Sequence, residues 1–267
     1  MQLLVAVLSG SVGLAVGSFA NVPIHRWPRQ GTVTEPKRSA CPSCGTLIAA
    51  RDNVPVVSWL VLRGRCRTCG EAISPRYLVV EVITAVLFAG VAWIWWEQPV
   101  LLLTFLVFTW SLVVATAIDL EHRIIPNRLT YRLPFVLLPL LIAHALLTDT
   151  LTDLRRGVIA GLAIPFGMFL LSELFRLLRG QSGMGMGDVK LAVSLGLVVG
   201  YLGGIQLVAF AYGTIISAVV VAFGLIAVGR AKLASRIPFG PYLAIGAMLP
   251  VLAPQGTERV VRSVLGL

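Results

Sequence analysis

Runs of about 17 to 25 mostly apolar residues, the length that crosses a bilayer core, recur eight times in this chain, at about 3–22, 78–96, 100–118, 132–147, 157–178, 189–204, 205–229 and 237–253. They leave little for a water-soluble fold: 57% of the 267 residues are hydrophobic and 13% charged, where soluble domains carry about 25% charge. Inside hydrocarbon each backbone N–H and C=O must find its partner within the protein. Continuous apolar runs satisfy that demand as helices. The expected fold is therefore an all-α polytopic membrane protein with about eight transmembrane helices.

The net charge of +10 is accounted for by where the basic residues fall. Membrane proteins concentrate Lys and Arg in cytosolic loops. One alternate set of loops holds nine in 23–77, three in 119–132, three in 176–190 and three in 230–236, whereas the other set holds only Arg155, Arg156, Arg259 and Arg262. Both termini are thereby expected outside, and no nucleic-acid partner is implied. No basic residue precedes the first run, so it reads as a retained span rather than a cleaved signal. The expected organisation is a first helix (1–22), a cytosolic cysteine domain (23–77), a membrane core (78–253) and a short C-terminal tail (254–267), with no internal repeat.

All four cysteines lie in the 23–77 loop, as Cys41-Pro-Ser-Cys44 and Cys66-Arg-Thr-Cys69, each pair followed by glycine. Two C-x-x-C pairs at this separation have the spacing of a tetrathiolate zinc site, which supplies stability to a loop too small for its own core. Redox pairs or unrelated buried thiols are the competing readings. Four thiolates leave no open coordination position, so a metal here is expected to be structural.

Carboxylates within apolar runs are costly and each needs an account. Glu173 stands three residues before Arg176, which an i,i+3 ion pair explains. Glu81 lies beside the cysteine loop, where an ion pair to the loop and a binding role are both open. Asp119 ends the third run ahead of Pro126, which stops the helix. Asp188 follows Ser182-Gly-Met-Gly-Met-Gly187, whose glycines at 183, 185 and 187 allow positive φ and close approach by another chain. A flexible loop with an Asp helix cap is the plainer reading of that stretch. From the charge count the third span runs inward and the sixth outward, which brings Asp119 and Asp188 to the same cytosolic membrane face. His122 neighbours Asp119 without ligand spacing, and His144 reads as an interhelical hydrogen-bonder.

Two carboxylates held close together share one proton, so that the ionised member activates water while the protonated one polarises a carbonyl. That is the chemistry of aspartic peptide hydrolysis. Gly183, Gly185 and Gly187, with Lys190 next to the site, are candidate substrate contacts, since a loop of small residues can pair with an extended peptide. Helix-end electrostatics favour the anion on Asp188 and the proton on Asp119. Proton- or cation-coupled transport through the same two aspartates is the main alternative, and a scaffold that recruits a partner through its cysteine loop is a third reading.

The motifs resemble those of the type IV prepilin peptidases, membrane aspartic proteases of the GxGD class. The resemblance rests on Gly17-Ser-Phe-Ala-Asn-Val22, the two C-x-x-C pairs, Ile73-Ser-Pro-Arg-Tyr77 with Glu81, Ile118-Asp119 leading to Ile125-Pro-Asn127, and Gly185-Met-Gly-Asp-Val-Lys190. It implies that Asp119 and Asp188 are the catalytic pair and that Cys41, Cys44, Cys66 and Cys69 bind zinc. It also implies that the substrates are prepilins or pseudopilins, cut at a short basic leader on the cytosolic side of the bacterial inner membrane. Retention of the cysteine loop further implies N-methylation of the new N-terminus with S-adenosylmethionine.

Overall fold

A computed structural model describes residues 1–36, 38–180, 184–229 and 238–266. The named elements are ten α-helices: α1 (Gln2–Arg26), α2 (Val57–Val61), α3 (Arg76–Trp95), α4 (Pro99–His122), α5 (Asn127–Thr148), α6 (Leu151–Arg179), α7 (Met186–Leu202), α8 (Gly204–Ala227), α9 (Gly240–Leu252) and α10 (Pro254–Leu265). Among the described residues there is no strand beyond two isolated bridges. The all-helical expectation holds.

The expected count of eight spans is not confirmed among the described residues. Six helices, α1, α3, α4, α5, α6 and α8, are long and apolar enough to cross a membrane. The other two apolar runs fold as α7, with 17 residues, and α9, with 13. At 1.5 Å per residue these extend about 26 and 20 Å, which puts α7 at the short end of the spanning range and α9 below it. Gly203, at φ 148°, ends α7 and separates it from α8.

The chain forms two compact units, one of residues 1–98 with 109–117 and the other of 99–108 with 118–267. In the first, α1 lies along α3 because glycines remove the barrier between them. A Cβ at Gly13 would stand 2.8 Å from Ala85 Cα, and one at Gly17 3.0 Å from Glu81 Cα. The Trp110 indole donates to Val16 O at 3.1 Å. In the second unit, α6 and α7 use the same device, with a Cβ at Gly157 falling 2.7 Å from Leu197 O. Small residues repeated at four-residue spacing let helix backbones touch where no hydrophobic force drives them together. Beyond its first turn α7 is apolar on all sides and is enclosed along most of its length, as such a helix should be. Its buried residues run from Asp188 to Tyr201. α6 instead exposes Leu162, Phe166 and Leu177, a face suited to lipid.

Several polar residues sit as the sequence suggested. Arg176 Nε donates to Glu173 Oε2 at 2.9 Å. His144 Nδ1 and the Tyr201 hydroxyl lie 2.6 Å apart, tying α5 to α7. The C-terminal residues 254–265 form a helix with Val261 buried and Val260 and Val264 exposed.

Candidate active site

The end of α4 and the start of α7 are built to place a carboxylate each. α4 closes with the Arg123 N–H on Asp119 O at 2.8 Å and Arg123 at φ 56°, a left-handed C-cap. Pro126 is extended and opens α5. The intervening Ile125 is buried. On the other side Gly185 is the N-cap of α7 and Asp188 lies in its first turn. Both aspartates are buried, at 5% and 8% exposure, and both line one cavity of about 350 Å³. Arg123, Asn127, Gly185, Gly187 and Lys190 share that lining.

The glycines matter for a reason other than the one expected. Gly185 has φ −69°, and Gly187 is not among the positive-φ residues. What they supply is space: a Cβ at Gly185 would stand 2.9 Å from Asp188 Oδ2, and one at Gly187 3.0 Å from Ile125 Cβ. Gly183 lies outside the described residues. Lys190 Nζ donates to Asn127 Oδ1 at 2.8 Å and stands 5.0 Å from the centre of the Tyr131 ring. It thus fixes the start of α7 against α5.

Sequence reasoning missed a third segment. The N–H of Gly240, the first residue of α9, donates to Asp119 Oδ2 at 2.9 Å. Residues 237–253 had been read only as a span. A glycine between prolines, Pro238-Phe-Gly-Pro241, was the available signal, since proline marks a helix start and glycine a close approach.

The first unit holds the cysteines. Among the described residues, Sγ atoms of Cys41, Cys44, Cys66 and Cys69 all lie within 4.8 Å of one another, and Cys41 and Cys69 are 3.8 Å apart. A tetrahedral ion with Zn–S of about 2.3 Å needs S···S edges of about 3.8 Å, so the donor set fits. As free thiols the cysteines are pulled apart in acidity: contacts from the Thr46 side chain and backbone draw Cys44 down to about 6, whereas, against the Glu71 backbone contact, burial and the neighbouring thiols push Cys69 up to about 12. The two halves are one turn used twice. Gly45 N donates to Cys41 O and Cys41 N to Thr46 O, while Gly70 N donates to Cys66 O and Cys66 N to Glu71 O. The bridges Ala40–Leu47 and Arg65–Ala72 complete each half. This short repeat went unseen in the sequence because only cysteine, glycine and a later isoleucine recur.

Glu81 is buried and accepts the Val56 N–H at 2.7 Å. Val56 has φ 62° and ψ −52°, and Val57 N donates to Pro55 O at 2.6 Å. This is a γ-turn of the rare, strained hand, and a β-branched residue sits at its centre.

Two family descriptions match the chain in sequence: the bacterial peptidase A24 N-terminal domain over residues 11–95 and the type IV leader peptidase family over residues 106–234. A protein of Dichelobacter nodosus named prepilin leader peptidase/N-methyltransferase is 36% identical over 269 residues, covering 91% of this chain and 90% of the relative. This chain belongs to the type IV leader peptidase family. Relatives of the same name from Pseudomonas aeruginosa (35% identity, 90% of this chain and 88% of theirs) and Aeromonas hydrophila (38%, 90% and 87%) agree. No solved structure matches. Within the family frame, the cavity between α4 and α7 falls in the leader-peptidase portion and the cysteine cluster in the N-terminal portion.

Proposed function

We propose that this leader peptidase is a multi-pass protein of the bacterial inner membrane that cleaves prepilin or pseudopilin leaders with Asp119 and Asp188. The observation that carries the assignment of residues is the pair of buried carboxylates lining one cavity. One ionised and one protonated carboxyl suffice to activate a water and polarise a peptide carbonyl. The concentration of Lys and Arg in one set of loops supports an active site at the cytosolic face, where a basic leader is met, with both termini outside. Gly185 and Gly187 line the cavity and offer backbone rather than side chain there, which supports an extended substrate lying beside them, with Gly183 assigned to the same contact from its place in the sequence. Lys190, bound to Asn127, borders that path. The family membership does not support the transporter reading.

The names of the relatives support a second activity, methylation of the amine that cleavage exposes. S-adenosylmethionine supplies an electrophilic methyl group when bound, and no described residue is assigned to it. Zinc is the metal the four thiolates suit best, in a structural role. No nucleic-acid partner is invoked.

The test is co-expression of a prepilin bearing a basic leader with the wild type, Asp119→Asn and Asp188→Asn. Mature product is expected only with the wild type. Equal processing by all three would remove the aspartates from the mechanism.

A further inference from the structure

The two aspartates are alike in burial but unlike in what they touch. Asp119 Oδ2 receives the Gly240 N–H at 2.9 Å, whereas the Asp188 carboxyl meets only backbone of its own first turn, at Gly185 and Asp188, and its Oδ1 is buried with no hydrogen-bond partner among the described residues. We infer that the Gly240 N–H, at the N-terminus of α9, positions Asp119 and holds it as the ionised member of the pair, leaving the shared proton on Asp188. This rests on the aspartate pair proposed above and reverses the assignment that helix ends alone suggest.

An ionised carboxylate only accepts hydrogen bonds, and a charge-assisted N–H bond is among the stronger ones. Asp188 has its own helix N-terminus in its favour, with backbone N–H contacts from Gly185 and from Asp188 itself, but these leave Oδ1 buried and bare, and they come from the turn that carries Asp188, whereas Asp119 is met by a donor from a distant segment. An ionised Oδ1 left unpartnered in a buried position is the costlier alternative. Protonated, Asp188 carries an O–H that can turn toward the cavity. The approach of α9 is also specific to glycine. A Cβ at residue 240 would stand 2.7 Å from Asp119 Oδ2 and 3.3 Å from Ile125 Cδ1, and Gly240 is not among the positive-φ residues, so the position is small for the sake of the carboxylate.

Other charges around Asp119 do not choose between the partners. Arg123 and Lys190 line the same cavity as both aspartates. On α4, Glu121 and His122 face each other at 3.9 Å, and Arg128 and Arg132 on α5 are exposed. α9 carries one titratable side chain, the buried phenol of Tyr242, whose ordinary ionisation near 10 keeps it neutral across the bell, and Arg230, Lys232 and Arg236 lie outside the described residues.

Chemistry follows from this placement. Water passes a proton to Asp119 as its oxygen bonds to the scissile carbonyl carbon, and Asp188 gives its proton to the carbonyl oxygen. As the C–N bond breaks, Asp119 returns its proton to the leaving nitrogen and Asp188 recovers one from the carbon-bound hydroxyl. Both aspartates end as they began.

The pH dependence of kcat/KM distinguishes the two placements. In Gly240→Ala the new methyl pushes Asp119 off the N–H. If Asp119 bears the charge, the acid limb of the bell moves up by about one to two pH units, and the alkaline limb stays because both deprotonated states lose the bond equally. If the charge sits on Asp188, only the alkaline limb moves. Movement of the alkaline limb alone, or of neither limb, overturns the inference. Asp119→Asn separates this from the underlying reading: if it still cleaves, the aspartate pair itself is wrong. Should Gly240→Ala fail to fold, infrared spectra decide. The carboxyl left in Asp188→Asn is expected to lose its protonated band at a lower pH than the carboxyl left in Asp119→Asn, and the reverse order overturns the inference.

Discussion

Two buried carboxylates, one in each compact unit, accept a backbone N–H from a distant segment. Glu81 takes that of Val56 at 2.7 Å, and Asp119 that of Gly240 at 2.9 Å. Their exposures are close, at 7% and 5%. The difference lies in what stands beside them. Glu81 holds a strained γ-turn at Val56, so its charge serves to fix a loop. Asp119 shares a cavity with a second carboxylate, so its charge has somewhere to act. A backbone N–H on a buried acid therefore does not by itself mark a catalytic group. The open cavity and the second acid do.

The largest expected effect tests that contrast directly. Asp119→Asn and Asp188→Asn should each lower cleavage by about 10³-fold or more, as losing an acid–base partner does, while helix content by circular dichroism is kept. Glu81→Gln should leave cleavage at the wild-type order of magnitude and show its effect in protease sensitivity of residues 23–77. Loss of cleavage in Glu81→Gln with an unchanged protease pattern would erase the distinction between the two acids.

Metal removal comes next. Structural zinc contributes on the order of 10 kcal/mol to small thiolate folds, so a strong chelator should open the two cysteine turns and expose the 23–77 segment to proteolysis. Cleavage of a prepilin should persist, because the thiolates lie in the first unit and the cavity in the second. Measuring released zinc against digestion tests this: release without digestion would mean the segment stands without its metal.

How much of this was legible in the sequence depends on the range of the signal. The helices were visible because hydropathy is local, and the cysteine site because ligand spacing is local. Asp119 and Asp188 stood out because charge in an apolar run demands a reason. The run lengths overstate the helices most at α9, where 237–253 yields Gly240–Leu252, since an apolar stretch does not say where a helix will begin. Gly185 and Gly187 drew attention for their conformational freedom, whereas what they give is room for Asp188 and Ile125. The Gly240 contact was not readable, because it joins residues 121 positions apart through a backbone N–H that every residue except proline owns. For the same reason the Glu81 bond to Val56 could not be told from an ion pair to the loop.

A smaller effect bears on the strain Glu81 maintains. Val56 at φ 62° costs about 1–2 kcal/mol relative to an ordinary conformation. Glycine there relieves that cost but adds about 0.5–1 kcal/mol of unfolded-state entropy. Val56→Gly should therefore stabilise the segment by about 0.5–1 kcal/mol, read from hydrogen exchange of the amides around α2. A loss of stability would mean that the half-buried valine side chain contributes more than its backbone costs.

The smallest effect concerns a half-buried carboxylate whose partner is an exposed guanidinium rather than a backbone N–H, and so completes the contrast. Asp52 closes a short helical turn, and Arg67, between the second pair of cysteines, donates to it at 2.7 and 3.0 Å. The Arg67 guanidinium holds the Asp52 carboxyl below its ordinary value of 3.8. A lowered carboxyl stabilises the fold above the unfolded value and loses that contribution as pH falls through the folded one. The pair is thus complete at neutral pH and lost only in acid, in the range where thiolates also regain protons. Following the Asp52 carboxyl carbon by chemical shift avoids that overlap, since it reads one group. Its midpoint should lie below 3.8 in the wild type and rise toward that value in Arg67→Ala, with the thermal stability of the segment nearly unchanged, because exposed ion pairs contribute little. An unmoved midpoint would mean that Arg67 is held there by the cysteine turn rather than by the charge it faces.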